Sequence, residues 1–187
     1  MNAKANVLRT QRTALRPVGK DNYPLLYQWW HLEFEQIHLW WDERKVLTYE
    51  EFVEDFDRRL RYFFFTFFVI YYYGDGAEVP VGFTYTSRYS AVDRYLYGTM
   101  YLSRKYTGRG LGVESGLAHL RYLVSMFNIR KIYTEIYAYN SPSLKAAKKA
   151  GFIEEGRLKA HRWFGGQFWD LVIMAFYPDE SFYITKG

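Results

Sequence analysis

The chain has no cysteine among its 187 residues, which excludes a disulfide framework, a thiolate-bound metal and an acyl-enzyme carried on a thiol. Acyl chemistry on this chain must be direct or use another nucleophile. Proline is scarce at 5 residues, and no Pro/Gly/Ser-rich stretch divides the sequence, so one domain with one substantial core is expected. Long apolar runs are also missing. The strongest, residues 62–73, is well short of the roughly 20 residues a membrane-spanning helix needs, so no membrane partner is expected. The opening MNAKANVLRTQRT has no apolar stretch of the kind a secretory signal carries, which makes the cytoplasm the expected location. Lys and Arg give a formal net charge of +5 but are scattered, with no basic block interleaved with aromatics. Nucleic acid is therefore not an expected partner, and a polyanionic small ligand accounts for the excess equally well. His31, His38 and the acids around them lack any ligand spacing such as His-Glu-x-x-His, so no metal is expected.

What the chain has in abundance is aromatic side chains, with 19 Tyr, 15 Phe and 6 Trp, suited to filling strands and a core and to lining a cleft. Residues 7–18 read as an opening strand ending at Pro17. Asp21 is placed to N-cap a helix carrying Leu25, Leu26, Trp29 and Trp30, with Pro24 in its first turn. Thr48 and Glu51 have capping-box spacing and open a helix to about Arg61, with Phe52, Phe56 and Leu60 on one stripe. Three strand-like segments follow, 63–73, 80–89 and 95–102, and their short connections make them antiparallel neighbours. The third runs into a glycine-rich loop and a helix ending at Phe127. A strand at 131–139, a helix at 142–150 stopped by Gly151, and a hairpin of 152–163 and 168–177 around Gly165-Gly166 complete the chain. The pattern is α+β: a mixed, mostly antiparallel sheet flanked by helices, with one parallel crossover made by the glycine-loop helix.

That loop organises the rest. Gly108, Gly110 and Gly112 alternate in YTGRGLG, and the apolar helical run starting at Leu111 follows directly. Glycine lets main-chain N–H groups approach an anion closely, and the helix adds its positive dipole end. A Walker loop would end in Gly-Lys-Ser/Thr, and a dinucleotide fingerprint would need glycine where Val113 stands; neither is present. Thr107, Gly108, Arg109, Gly110, Leu111, Gly112 and Val113 instead resemble the acetyl-CoA pyrophosphate loop of the GNAT superfamily of N-acetyltransferases, Gln/Arg-x-x-Gly-x-Gly/Ala, with Thr107 in the Gln/Arg place. The resemblance extends along the chain. Residues 10–16, TQRTALR, are similar to the Thr-Glu-Arg-x-x-Leu-Arg opening of the RimJ/RimL-like branch. Asn140, Ser143, Lys149, Gly151 and Phe152 resemble its Asn-x-x-Ser…Lys-x-Gly-Phe run, and Glu155-Gly156 with Asp170 its ending.

The resemblance implies a three-layer α/β/α GNAT fold with acetyl-CoA, as cosubstrate, at a splayed strand pair. It implies transfer of an acetyl group to a primary amine. Met100, Tyr101 and Leu102 would grip pantetheine, with the Leu102 N–H as oxyanion donor. Glu135 is an acid among Ile132, Tyr133, Ile136 and Tyr137, where desolvation would lift it towards a base's range. In relatives a Glu five residues before the CoA-contacting Asn is the general base, which makes Glu135 and Asn140 that pair; an ordinary ion-paired strand carboxylate is the alternative. RimL-like members use the Ser of Asn-x-x-Ser near the CoA sulfur, which implies Ser143 as proton donor, with ordinary helix capping as the alternative; the Tyr acid of many relatives would fall at Ala147. Trp29, Trp30, Trp40 and Trp41 lie in the region that walls the acceptor cleft of relatives and are the expected acceptor-binding residues. A small amine or aminosugar is favoured slightly over a protein N-terminus, and the chain is expected as monomer or homodimer. Thr107 and Ala147 leave open a catalytically silent acyl-CoA-binding module.

Overall fold

In a computed structural model, residues 8–33, 46–74 and 76–182 are described. Eight strands form one sheet in the order β1-β2-β3-β4-β5-β6-β8-β7. They are β1 (Leu8–Arg9), β2 (Thr13–Pro17), β3 (Phe64–Tyr72), β4 (Val79–Ser90), β5 (Tyr95–Leu102), β6 (Lys131–Tyr137), β7 (Ile153–Phe164) and β8 (Gln167–Phe176). Every neighbouring pair is antiparallel except β5 and β6, which are parallel. The crossover between those two is the expected glycine-loop helix. Among the described residues no helix is long and apolar enough to cross a membrane.

Helices cover both faces. On one side lie α1 (Tyr23–Tyr27), extended by a π turn over Gln28–Leu32, and α2 (Tyr49–Tyr62). Their Leu26, Trp30, Phe52 and Phe56 pack on Phe64, Phe67, Phe83 and Tyr85 of the sheet. On the other side lie α3 (Leu111–Phe127) and α4 (Ser141–Lys149). Leu120, Leu123 and Val124 of α3 pack on Leu96 and Ile132, and Leu144 of α4 on Ile136 and Met174. Because side chains alternate along a strand, these contacts sort each strand residue to a face. Tyr97, Tyr101, Tyr133 and Glu135 therefore belong to the α1/α2 side, and Met100, Leu102, Ile132 and Ile136 to the α3/α4 side.

Most elements fall where the sequence puts them. The Thr48 hydroxyl accepts from the Glu51 N–H and the Glu51 carboxylate from the Thr48 N–H, completing the capping box. Two expectations need correction. The opening strand is broken into β1 and β2, because Thr10 and Arg12 between them turn towards α3. Asp21 does not cap α1: a 3-10 turn over Lys20–Asn22 leads in, and it is the Asn22 carboxamide that accepts from the Gly19 N–H while donating to the Tyr71 hydroxyl.

Candidate active site

The parallel pair β5/β6 holds register only from Tyr95↔Lys131 to Tyr97↔Tyr133. Beyond that the strands part, and a cleft of about 1220 Å³ opens between them, reaching from the α3 N-terminus through the gap to the α1/α2 face. The main chain of β5 faces this gap at fixed positions. The Ser103 N–H donates to the Val81 carbonyl on β4, and in an antiparallel ladder alternate residues point the same way. The peptide groups of Leu102 and Met100 thus point away from β4, into the opening. This is the geometry an oxyanion donor at Leu102 requires.

The glycine loop closes one end. Gly108 and Gly110 have φ of 75° and 80°, the left-handed region that side chains disfavour, and Gly110 N-caps α3 without a side-chain cap. Space beside Gly108 is open to 4 Å. Gly112 serves differently: a Cβ there would meet Leu102 Cδ1 at 3.2 Å, so its lack of one lets α3 approach β5. The carboxylate nearest the helix start, Glu114, is drawn away by Thr10 and Arg12 (2.6 and 2.8 Å), leaving the positive end of α3 for an anion. Thr107, Gly108, Gly110, Gly112 and Val113 line the cleft with Arg104, Lys145 and Lys149 nearby. These residues fit a pyrophosphate. Two expected contacts belong elsewhere: the Leu111 side chain is fully buried under β2 and β3, so only its N–H is available, and Arg109 lies beside the Tyr106 ring with its carbonyl taken by Arg12.

Asn140 N-caps α4, its side-chain oxygen accepting from the Ser143 N–H at 3.3 Å, and both line the cleft. Glu135 lines it too, but its setting differs from the apolar one expected. Its carboxylate accepts a 2.9 Å ion-pair hydrogen bond from Arg88 Nη1, with side-chain exposures of 28% for Glu135 and 51% for Arg88. The Arg88 guanidinium lies 4.5 Å over the Tyr97 ring, which in turn stacks on Tyr133. Burial weakens the Arg88 cation, and the hydrogen bond and charge of Glu135 more than restore it, so its pKa is raised. The Tyr97 phenol is pushed up by burial and by the Glu135 charge, against the opposing pull of Arg88.

Tyr101 is buried, and its hydroxyl donates to Glu33; burial first, then that carboxylate, raise its pKa. Trp29 and Trp30 are each 3% exposed. Trp30 stacks on Phe83 at 5.2 Å and Trp29 packs on Tyr101, so both are core residues behind the cleft wall and not the acceptor-binding surface expected of them. Their aromatic bulk is needed to join α1 to the sheet. Trp40 and Trp41 lie outside the described residues.

Three participants are invisible in the sequence pattern. Arg88 sits at a strand irregularity with no local signature, Glu114 bonds a segment over a hundred positions away, and His119 is a polar residue within an apolar helical run. His119 is 4% exposed, and its ring joins Thr66 on β3 to Thr84 on β4, at 3.0 Å each. Thr84 gives its hydroxyl proton to the Thr99 carbonyl and Thr66 Oγ1 contacts Thr86 Oγ1 at 2.7 Å. The chain of donors then runs one way: Thr86 to Thr66, Thr66 to His119 Nε2, His119 Nδ1–H to Thr84, Thr84 to Thr99. Burial pushes the imidazole down to about 3, so it is neutral and fastens α3 to the strands beside the gap.

Comparison with known proteins agrees with this fold. The chain resembles a spermidine N-acetyltransferase from Vibrio cholerae solved with CoA and spermine, with a TM-score of 0.80 and 16% identity over 90% of this chain and 96% of that one. It also resembles RimL, a ribosomal L7/L12 α-N-protein acetyltransferase solved with CoA (TM-score 0.76, 17% identity, 92% and 98%). A curated relative, the SPbeta prophage-derived uncharacterized N-acetyltransferase YokL of Bacillus subtilis (strain 168), is 29% identical over 82 residues, covering 44% of this chain and 46% of YokL. Residues 12–153 match the Acetyltransferase (GNAT) domain, a span that holds the glycine loop, the splayed strands, Glu135 and Ser143, and the chain belongs to that family.

Proposed function

We propose that this chain transfers an acetyl group directly from acetyl-CoA to a primary amine, in the manner of the RimJ/RimL-like branch. One observation carries the reading: a single cleft joins the glycine-lined N-terminus of α3, the exposed main chain of β5 and the Glu135 carboxylate. When bound, acetyl-CoA supplies an activated acetyl thioester. The first turn of α3 holds its pyrophosphate, with Arg104, Lys145 and Lys149 adding positive charge. Asn140, Met100 and Tyr101 are the further cofactor contacts of this reading, and the Leu102 N–H faces the developing charge on the carbonyl oxygen.

An amine arrives protonated near neutral pH, so two protons must leave as the C–N bond forms and the C–S bond breaks. Glu135 takes one towards solvent. Ser143 gives its hydroxyl proton to the leaving sulfur, and the amine's second proton replaces it, so one proton leaves to solvent and one ends on the thiol. The absence of cysteine leaves no protein thiol to carry the acetyl group, which supports one ternary complex. The ion pair on Glu135 and the departures at Thr107 and Ala147 favour a second reading, a silent acyl-CoA-binding module. A panel of amines assayed for CoA release with a thiol reagent separates the two, and this cysteine-free chain adds no background. Amine-dependent CoA release supports the transferase; CoA binding without release under any amine favours the silent module.

A further inference from the structure

The acceptor side of the cleft carries a residue that neither the fold nor the sequence pattern explains. Arg88 has φ of 50° near the end of β4, at a bulge where the register jumps from Ser87↔Tyr97 to Ser90↔Tyr95. A left-handed conformation is disfavoured for a residue with a long side chain, and such outliers gather at functional sites. The bulge has a definite effect. Regular alternation would send Arg88 to the face of Thr84 and Thr86, against α3; instead its guanidinium lies over Tyr97 and on Glu135, on the opposite face.

Charge along the cleft adds a second observation. Among the described lining residues the acid is Glu135 alone, against Arg59, Arg88, Arg104, Lys145 and Lys149. The last three belong to the loop and α4 end. Arg59 and Arg88 are on the acceptor side; Arg59 is engaged by Asp55 of its own helix, whereas Arg88 is half exposed at the site itself. Among the described lining residues, a polycation would meet one carboxylate there, already paired with Arg88. An amine that carries its own anionic group meets a matched pair.

Resting on the transferase reading above, we propose that Arg88 is the acceptor-anchoring residue and that the acceptor is a primary amine bearing a carboxylate or phosphate a few bonds from the nitrogen. The anionic group takes the Arg88 guanidinium, which suits such oxygens bidentately. Glu135 is thereby released from Arg88 and accepts a proton from the ammonium beside it. The 2.9 Å contact between the two heads requires amine and anion to be close together, as they are in an α-amino acid. The Arg88–Glu135 ion pair is then the resting state of the base, opened by exchange with an acceptor of the right charge pattern.

The test uses matched pairs: histidine with histamine, tyrosine with tyramine, and phosphoethanolamine with ethanolamine, assayed for CoA release. The anionic member of at least one pair should show a kcat/KM roughly 10- to 100-fold above its partner, the scale of one charged hydrogen-bonded contact, and the pair that does so tells carboxylate from phosphate. Arg88→Asn, which tolerates the left-handed backbone, should bring that ratio to about one while KM for acetyl-CoA stays put, and Arg88→Lys should keep part of it. Preference for the neutral or cationic members, or a ratio unchanged in Arg88→Asn, overturns the proposal. Calorimetry of the same pairs on CoA-loaded protein reads anchoring without turnover. Anion-selective binding that depends on Arg88 but yields no CoA contradicts acetyl transfer and leaves the anchor standing; equal acetylation and equal binding of both members contradict the anchor alone.

Discussion

Arg12 Nη2 lies 2.7 Å from Glu114 Oε2, and this contact ties the connection between β1 and β2 to the first turn of the helix that carries the glycine loop. The Arg12 N–H and the Thr10 hydroxyl bond the same carboxylate at 2.8 and 2.6 Å. Burial alone would push the Glu114 carboxyl up; the Thr10 hydroxyl, the Arg12 amide and the Arg12 guanidinium together hold it below its usual value.

A depressed folded pKa has a fixed consequence for stability. The contribution of Glu114 is present above the unfolded carboxylate value near 4.3 and disappears as pH falls through the lower folded value. Glu114→Gln should cost about 1–2 kcal/mol at neutral pH, towards the lower figure because Arg12 is partly exposed. Denaturant titrations should show the gap to wild type closing below about pH 4. A gap independent of pH would mean the carboxylate charge contributes nothing.

His119 should stay neutral throughout the working range as the Nδ1–H tautomer, because burial depresses it to about 3 and Thr84 needs a donor. Nitrogen chemical shifts of the ring, followed from neutral pH to about 5, test both statements; a titration near the ordinary value of about 6.5 would refute them. His119→Phe removes one hydrogen bond each from the Thr66 and Thr84 hydroxyls, which keep Thr86 and Thr99, and should cost roughly 1–3 kcal/mol.

Gly110→Glu places a Cβ at a φ of 80° and a carboxylate at the start of α3. The αL strain costs about 1–2 kcal/mol, which the fold should survive, while the charge opposes the pyrophosphate. Calorimetry should show CoA affinity falling steeply in the folded variant. Unchanged affinity would remove the loop from the binding site.

Local chemistry made much of this fold legible. Thr48 and Glu51 announce a helix start whatever surrounds them, Gly165 and Gly166 announce a hairpin, and Gly108 and Gly110 announce a left-handed loop before a helix. Contacts between distant segments were not legible. Nothing near Arg88 in Ser87-Arg88-Tyr89 marks a bulge, so the ion pair on Glu135 is a tertiary fact. Trp29 and Trp30 show the same limit: aromatic character suits a cleft wall and a core alike, and only the partners Phe83, Tyr85 and Tyr101 decide for the core. The main-chain role of Leu102 does not depend on its side chain, and the strand register supplies what the residue type cannot.

Trp30→Ala follows from that placement. Removing a ring stacked on Phe67, Phe83 and Tyr85 should cost about 3–5 kcal/mol in stability, read by thermal unfolding. A stable variant with a raised acceptor KM would return Trp30 to the acceptor surface.

Ser143→Ala should reduce turnover modestly, since a thiolate leaves tolerably without a proton donor, and the N-cap of α4 uses the Ser143 main chain and not its hydroxyl. Turnover should fall by about tenfold or less, below the usual range for losing a general acid. A larger loss, with unfolding unchanged, would make the hydroxyl essential.

The measurement that bears most directly on the account is steady-state turnover of Glu135→Gln with a reactive amine, followed from about pH 6 to 9 beside wild type. Glutamine keeps the shape and a hydrogen bond to Arg88 but accepts no proton. The account expects kcat to fall about 10²- to 10⁴-fold while KM for acetyl-CoA holds, and the loss to be greatest at the lower pH, where the amine is most fully protonated. Full activity of Glu135→Gln across that range would contradict it.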